Sequence, residues 1–341
     1  MKEASYYTKL ENNRVQCGLC PHRCRIPDGR SGFCITRENI GGKLIAANYC
    51  RPVSTAIDPI EKKPLFHFYP GSEIFSTGPN GCTFKCSFCQ NCEISQEKLA
   101  TKEIQPEKFV AMIAKSGSIG IAYTYSEPTI WFETIMDIGL QVKQLGLKNV
   151  MVTNGYIEPQ PLSDLLSIVD AMNIDIKSMN PDFYKRICKG GLPEVLRACE
   201  TVKKAGCHLE ITHLLIPGEN DDPKETESLV DFMVTHLGKE TPLHISRYFP
   251  RYRMDHASTP SALLERAWQI AHDRLDYVYV GNVAADDKEH TRCPQCGTLL
   301  ISRQGYDIRR TASLAAEPCK PGSPHKPPHC AKCNRPIPIV L

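Results

Sequence analysis

Between residues 73 and 283, short apolar runs alternate with longer stretches in which apolar positions recur every three to four residues. The runs at 73–77, 119–125, 149–153, 171–176, 208–216 and 243–246 have the length and the β-branched or aromatic content of buried strands, and 277–280 is a candidate seventh. The stretches at 107–115, 130–145, 161–168, 193–205, 224–236 and 261–273 read as amphipathic helices. Strict alternation of the two is the order of βα units around a parallel sheet. Six such units make an incomplete barrel, so the pattern predicts an α/β fold, a partial (β/α)6 barrel of the TIM type. In that architecture functional groups gather at the carboxyl ends of the strands.

The apolar rhythm fails at both ends of the chain, which divides into a Cys-rich module with a linker (1–70), the barrel (71–283) and a second small module (284–341). The linker Asp58-Pro-Ile-Glu-Lys-Lys-Pro-Leu-Phe-His-Phe-Tyr-Pro-Gly71 holds prolines 59, 64 and 70, which predicts an extended, ordered connection. The Pro-, Ser- and Lys-rich segment 315–329 reads as a flexible loop.

With 341 residues, 41% of them hydrophobic, the chain has enough material for one large core and small appendages. A net charge of +3 without long basic runs gives no electrostatic case for nucleic-acid binding. No segment reaches the roughly 18 apolar residues of a membrane span, and Met-Lys-Glu-Ala-Ser-Tyr-Tyr-Thr carries no apolar signal region. The expectation is a soluble cytoplasmic protein. In that setting 17 cysteines point to metal ligation and not to a disulfide framework.

The cysteines fall into three groups. Cys17-Gly-Leu-Cys20-Pro-His22-Arg-Cys24, with Cys34, puts four thiols among turn-forming Gly and Pro. That suits a small metal-organised knuckle, for which zinc and a second iron–sulfur cluster are equally suitable; His22 is expected at the surface, because four thiols already fill a tetrahedral site. Cys293-x2-Cys296 and Cys330-x2-Cys333, with a strand-like run at 298–302, read as a zinc ribbon, and Cys319 is not expected to ligate. The central group, Cys82-x3-Cys86-x2-Cys89, follows the strand at 73–77 and so lies on a loop at its carboxyl end. A cubane iron–sulfur cluster normally takes four thiolates, so three would leave one iron open. Half a zinc site and a ferredoxin-type run compete with this reading. Cys92 continues the ferredoxin rhythm, but the fourth cysteine followed by Pro is missing, so Cys92 is read as a thiol outside the ligand set.

The strand ends supply further candidates: Tyr123-Thr-Tyr-Ser126-Glu127-Pro128, Thr153-Asn154-Gly155, Asp175-Ile-Lys177 and Ile216-Pro-Gly218, with His244 and Arg247 on the sixth strand. Each has a plain structural role open to it. Glu127 can cap a helix, Asn154-Gly155 is an ordinary turn, and Asp175 and Lys177, on one strand face, can neutralise each other. Their convergence on the cysteine loop is what makes them candidates for a pocket.

The three-cysteine loop, with Phe88 just before its last cysteine, resembles the signature of the radical S-adenosylmethionine (SAM) superfamily. Together with the 58–71 segment, Cys89-Gln-Asn, Ile94-Ser-Gln, Tyr125-Ser-Glu-Pro, the N-terminal quartet and the C-terminal ribbon, nearly the whole chain resembles the AmmeMemoRadiSam system radical SAM enzymes, which are similar to pyruvate formate-lyase activating enzymes. The resemblance implies that Cys82, Cys86 and Cys89 hold a [4Fe-4S] cluster whose open iron is chelated by SAM. Ser126 and Glu127 stand where the superfamily often has Gly-Gly-Glu against the methionine amino group, without the two glycines. It further implies that Thr153, Asn154, Asp175, Lys177 and His244 contact the SAM carboxylate, the ribose or a cation, and that Gly218 lies near the adenine. Val152 replaces the acid that precedes Thr-Asn-Gly in the activating enzymes, so a cation site like theirs would lack a ligand.

The implied reaction is reductive cleavage of SAM to a 5′-deoxyadenosyl radical, which takes hydrogen from an unidentified substrate. Flavodoxin or ferredoxin is the implied electron donor, and the other two AmmeMemoRadiSam components are candidate partners. Cys188, Tyr123 and Arg247 are candidates for lining the substrate space. The alternatives are an activating enzyme of a glycyl-radical enzyme and, from another class, a non-catalytic iron–sulfur/zinc electron-transfer or binding protein.

Overall fold

The computed structural model describes residues 1–283, 287–316 and 327–341. Cys319, most of the expected 315–329 loop and the start of the last module at 284 lie outside the described residues. The chain forms two compact units, Met1–Asp58 with Glu73–Leu209 and Pro250–Asp255, and Pro59–Ser72 with Glu210–Phe249 and His256–Leu341.

In the first unit four strands, β1 (Glu73–Gly78), β2 (Gly120–Tyr123), β3 (Lys148–Thr153) and β4 (Ala171–Asp175), lie side by side. All three pairings are parallel, with Phe75 opposite Ile121, Ile121 opposite Asn149, and Val150 opposite Ala171. Their residues are buried almost without alternation, as strands covered on both faces require. Helices α1 (Pro106–Lys115), α2 (Phe132–Gln144), α3 (Pro159–Leu166) and α4 (Leu192–Lys204) supply the cover. Ile135, Ile138 and Val142 of α2 are fully buried at helical spacing.

The helix expected from residue 130 begins at Phe132, because a tight turn at Pro128–Trp131 precedes it. Glu127 caps that turn by accepting a hydrogen bond from Thr129 N at 3.0 Å. The ends of β1 and β2 meet closely: a Cβ on Gly78 would stand 2.0 Å from the Thr124 carbonyl oxygen, so only glycine fits.

The N-terminal module carries regular structure of its own. It holds two small antiparallel sheets, one from Tyr7–Lys9, Val15–Cys17 and Arg25–Ile26, the other from Lys2–Glu3, Arg37–Ile40 and Lys43–Ala46. Strands of two to four residues carry no periodicity to read.

The second unit continues the βα pattern with β5 (His208–Leu215, from Glu210 onward), β6 (Leu243–Arg247) and β7 (Val278–Gly281), again parallel. Helices α5 (Pro223–Phe232) and α6 (Ser261–His272) belong with them. The C-terminal residues form an antiparallel sheet of Thr291–Arg292, Leu299–Gln304 and Asp307–Arg310, and a strand pair of Leu314–Ala315 with His329–Cys330. Leu300, Ile301, Ile337 and Ile339 pack with Phe66, Tyr277 and Tyr279 in one core.

The 58–71 segment is anchored as well as ordered. Glu210 accepts from the Phe66 and His67 backbone N–H groups at 3.0 and 2.7 Å. Arg303, buried, donates to the Phe66 carbonyl (2.8 Å), the Glu289 carbonyl (2.9 Å) and Thr291 Oγ1 (2.8 Å), and its guanidinium lies 4.2 Å from the Phe66 ring centroid. Arg303→Met would leave two buried carbonyls short of a donor. It is expected to lower the unfolding free energy by about 2–4 kcal/mol, read as a fall in the urea midpoint followed by circular dichroism.

Candidate metal and cofactor site

The cysteine loop leaves β1 and is held by backbone bonds to neighbouring segments. Gly81 N donates to Ile94 O (2.8 Å), Lys85 N to Cys188 O (2.8 Å) and Ser87 N to Ile187 O (3.3 Å). Asn80 adds side-chain bonds to the Ile94 and Glu97 carbonyls, both 2.6 Å, and accepts from Leu99 N at 2.7 Å. Phe84 is buried against the Tyr156 and Tyr184 rings, with centroids 5.0 and 5.8 Å away. A side chain on Gly190 would collide with Phe84, 2.1 Å from its ring edge. The sulfurs are therefore positioned by the backbone before any metal arrives.

Those sulfurs have donors of their own. Cys82 Sγ accepts from Phe84 N at 3.3 Å and from Asn154 Nδ2 at 3.7 Å, and Cys89 Sγ lies 3.1 Å from Ser95 Oγ. Burial pushes the Cys82 thiol well up, with Glu127, Cys86 and Cys89 adding to it. Contact with the buried Cys188 thiol, then burial, does the same to Cys86, and burial raises Cys89. Thiols placed this way give up their protons to a metal centre that compensates the thiolate charge. Three thiols on one loop, two of them with hydrogen-bond donors, fit a [4Fe-4S] cluster with one iron left to another ligand.

Around the loop the strand ends are knitted by Glu127, which is 1% exposed. Besides Thr129 N, it accepts from Thr153 Oγ1 at 2.6 Å and from Asn154 N at 2.9 Å. Burial raises its carboxyl, and these hydrogen bonds pull it back down in part. Asn154 also donates to Thr83 Oγ1 at 2.9 Å, inside the cysteine loop. Ser126 Oγ donates to the Pro79 carbonyl at 2.6 Å. Tyr125, at φ 68°, donates its hydroxyl to Asp58 at 2.7 Å. Lys177 and Asp175 pair at 3.1 Å, and the Lys177 ammonium stands 5.7 Å from the centroid of the Phe88 ring. Burial opposes the Lys177 charge, but Asp175 with the Cys86 and Cys188 thiols outweighs it and holds the group above its ordinary range.

Ser126, Glu127, Thr153, Asn154, Asp175 and Lys177 thus belong to the first unit with Cys82, Cys86 and Cys89. Gly218 and His244 belong to the second. Gly218 is exposed there at φ 76°, its N–H on Asp221 at 2.9 Å. His244 is buried, with Nε2 2.6 Å from Glu210 and its ring against Phe66.

Two expectations change. Tyr123 does not line an open space: it is fully buried, its hydroxyl on Asn149 at 3.1 Å, because that position of β2 faces the helices. His22 is not a surface residue. It is half-buried, stacked near Phe33, with Nε2 2.7 Å from the Thr83 carbonyl. Cys188, a candidate for the substrate space, meets the Cys86 thiol; Ser95 and Thr83 were not readable as site neighbours, because a Ser or a Thr in a loop carries no spacing signal. Cys92 opens the short helical turn Cys92–Gln96 and is buried.

The C-terminal quartet has the geometry to hold a metal ion. The sulfurs of Cys293, Cys296, Cys330 and Cys333 all lie within 4.8 Å of one another, with Cys293–Cys333 at 3.5 Å and Cys296–Cys330 at 3.6 Å. Tetrahedral thiolates around one zinc-sized ion stand about 3.8 Å apart, which these match.

The α/β scaffold sets three thiols on a loop at the end of its first strand, with polar groups from the ends of the next strands beside them, a donor set that fits a metal cofactor. The chain belongs to the Radical SAM superfamily: that family's model matches residues 77–230, and an uncharacterized protein of Methanocaldococcus jannaschii is 47% identical over 346 residues, with full coverage of both chains. Members of the superfamily are enzymes, and membership implies a [4Fe-4S] cluster, SAM and an electron donor. The chain is also similar to a pyruvate formate-lyase-activating enzyme of Clostridium pasteurianum, 26% identical over 45% of this chain and 66% of that one. A probable GTP 3′,8-cyclase of Thermococcus kodakarensis is 29% identical over 44% of this chain and 49% of its own. The crystal structure of a domain of the activating enzyme from Bacteroides vulgatus aligns with a TM-score of 0.43 and 21% identity, covering 48% of this chain and 99% of that domain. Among the described residues no helix is long and apolar enough to cross a membrane.

Two tests follow from this geometry. Glu127→Ala strands three donors and is expected to cost about 2–4 kcal/mol of stability, with Glu127→Gln, which keeps one acceptor oxygen, losing less; urea unfolding of the metal-free protein measures both. Cys296→Ser with Cys333→Ser is expected to remove about one bound divalent ion per chain, measured by plasma mass spectrometry of the purified protein.

Proposed function

We propose that this protein is a radical SAM enzyme of the AmmeMemoRadiSam system type, acting on a substrate still to be identified. The observation that carries the reading is the loop Gly81–Asn91: three thiols, two of them with hydrogen-bond donors of their own, set at the end of β1 beside Glu127, Asn154 and Lys177. Superfamily membership supports it. When bound, the cluster and SAM supply reductive cleavage to a 5′-deoxyadenosyl radical that abstracts hydrogen.

The chain's own residues hold and tune that chemistry. Cys82, Cys86 and Cys89 would ligate three irons, leaving the fourth to SAM. The Asn154 amide, the Phe84 N–H and the Ser95 hydroxyl donate toward the sulfurs and favour the more anionic, reduced state. Lys177, held cationic beside Asp175, offers positive charge next to the thiolates and to an incoming carboxylate. Glu127 spends both oxygens on strand-end donors, so it positions Thr153 and Asn154 while Ser126 and Glu127 present the backbone to the methionine end of SAM. The buried floor made by Phe84, Phe88 and Tyr184 excludes water from the radical. The 1–70 and 284–341 segments serve as metal-holding modules, zinc in the second, and a flavodoxin or ferredoxin supplies the electron.

The anaerobically reconstituted protein, given dithionite and SAM, is expected to release 5′-deoxyadenosine, and Cys86→Ala to release no more than a protein-free blank. Liquid chromatography with mass spectrometry reads the product. A wild-type sample with its cluster in place and no 5′-deoxyadenosine would overturn the reading.

A further inference from the structure

The first unit carries a second set of thiols that the proposed reaction does not use. Cys17, Cys20, Cys24 and Cys34 line one small cavity whose remaining wall is apolar except for Arg37. Cys17 and Cys34 are buried and Cys20 and Cys24 half-buried. Each of Cys17, Cys20 and Cys24 is raised first by burial, and thiols of the same set add to it.

The cavity is made for an anionic guest. Arg37 is 1% exposed, donates to the Ser5 carbonyl at 2.8 Å and to Glu133, and leaves its Nε without a hydrogen-bond partner on the cavity wall. An orphaned buried donor marks a missing acceptor. Two sulfurs already have donors: Phe33 N lies 3.4 Å from Cys24 Sγ, and Thr36 Oγ1 lies 3.7 Å from Cys34 Sγ. Hydrogen bonds to sulfur and an apolar surround are the features that set iron–sulfur clusters in a protein.

The C-terminal quartet shows how this chain builds a single-ion site. Its sulfurs all lie within 4.8 Å of one another. Among the described residues the N-terminal sulfurs form no such close group, and they line a small cavity instead. That space also abuts the first cysteine loop: a Cβ on Gly81 would lie 2.3 Å from the Cys34 carbonyl oxygen, His22 Nε2 meets the Thr83 carbonyl at 2.7 Å, and the Lys85 ammonium lies 5.3 Å from the centroid of the Phe33 ring. Gly81 and Thr83 flank Cys82.

We propose that Cys17, Cys20, Cys24 and Cys34 bind a second [4Fe-4S] cluster with every iron held by the protein, next to the site of the first, and that they do not bind zinc. The inference goes beyond the proposed reaction and does not depend on it. Four thiolates leave no iron open to SAM, so this centre takes no part in binding that cofactor.

The test uses the full chain, reconstituted anaerobically with iron and sulfide. A variant carrying Cys82→Ala, Cys86→Ala and Cys89→Ala is expected to retain about four irons and about four sulfides per chain, with the visible absorbance and, after dithionite, the EPR signal of a reduced [4Fe-4S] cluster. Adding Cys20→Ala and Cys24→Ala is expected to abolish both. Iron that survives the added substitutions, or a triple variant with zinc at two equivalents and no iron, overturns the proposal. If the triple variant does not fold, the wild type decides: about eight irons per chain by Mössbauer spectroscopy and metal analysis supports it, and about four irons with two zincs overturns it. None of these readouts uses SAM cleavage. Failure here leaves the proposed reaction standing, and loss of 5′-deoxyadenosine release leaves this site standing.

Discussion

A single buried carboxylate organises the first unit. Glu127 lies just past the end of β2, almost out of reach of solvent, where an unpaired charge would cost several kcal/mol. Its oxygens are saturated by Thr129 N, Thr153 Oγ1 and Asn154 N, which fixes the end of β3 against the end of β2. Asn154, so placed, reaches Thr83 and the Cys82 sulfur. The line from carboxylate to strand end to thiolate makes the cysteine loop part of the core and not a surface appendage. The same carboxylate caps the turn before α2, so one group sets both the pocket wall and the helix behind it.

The second unit solves a related problem with the same means. Glu210 and Arg303 are both buried; Glu210 accepts from the 58–71 segment, and Arg303 donates to that segment and to the Glu289 carbonyl. His67 and His244 complete the group, with His67 Nε2 2.7 Å from the Tyr279 hydroxyl. A proline-rich linker becomes a fixed part of a core because its Phe66 and His67 amides donate to the buried Glu210. Buried charges of this kind set specificity of arrangement more than net stability. Here they set which segments meet.

The strands and helices of the βα pattern were readable because their signal is local. Strands β1 to β7 and helices α1 to α4 and α6 fall within about two residues of the periodic runs. The tight turn at Pro128–Trp131 was not, since Glu127 capping Thr129 is a side-chain event invisible to periodicity. The N-terminal sheets escaped for a different reason: they are held by pairings such as Lys2 with Ala46 and Tyr7 with Cys17, too short to show alternation. Tyr123 and His22 were misplaced because residue type says little about which side of an element faces out.

What the sequence determined by itself is the ligand chemistry and the order of elements: thiols at fixed spacing on one loop, in a knuckle and in two pairs, and strands alternating with helices. Both are properties of neighbouring residues, so neighbours suffice to read them. The tertiary structure alone decided which polar groups converge on those thiols. Asn154 meets Cys82 across 72 positions, Arg37 meets Glu133 across 96, and Phe66 meets Glu210 across 144. Contacts that distant along the chain form only when burial makes an unpaired charge or amide too costly to leave, and that cost exists only once the core has closed.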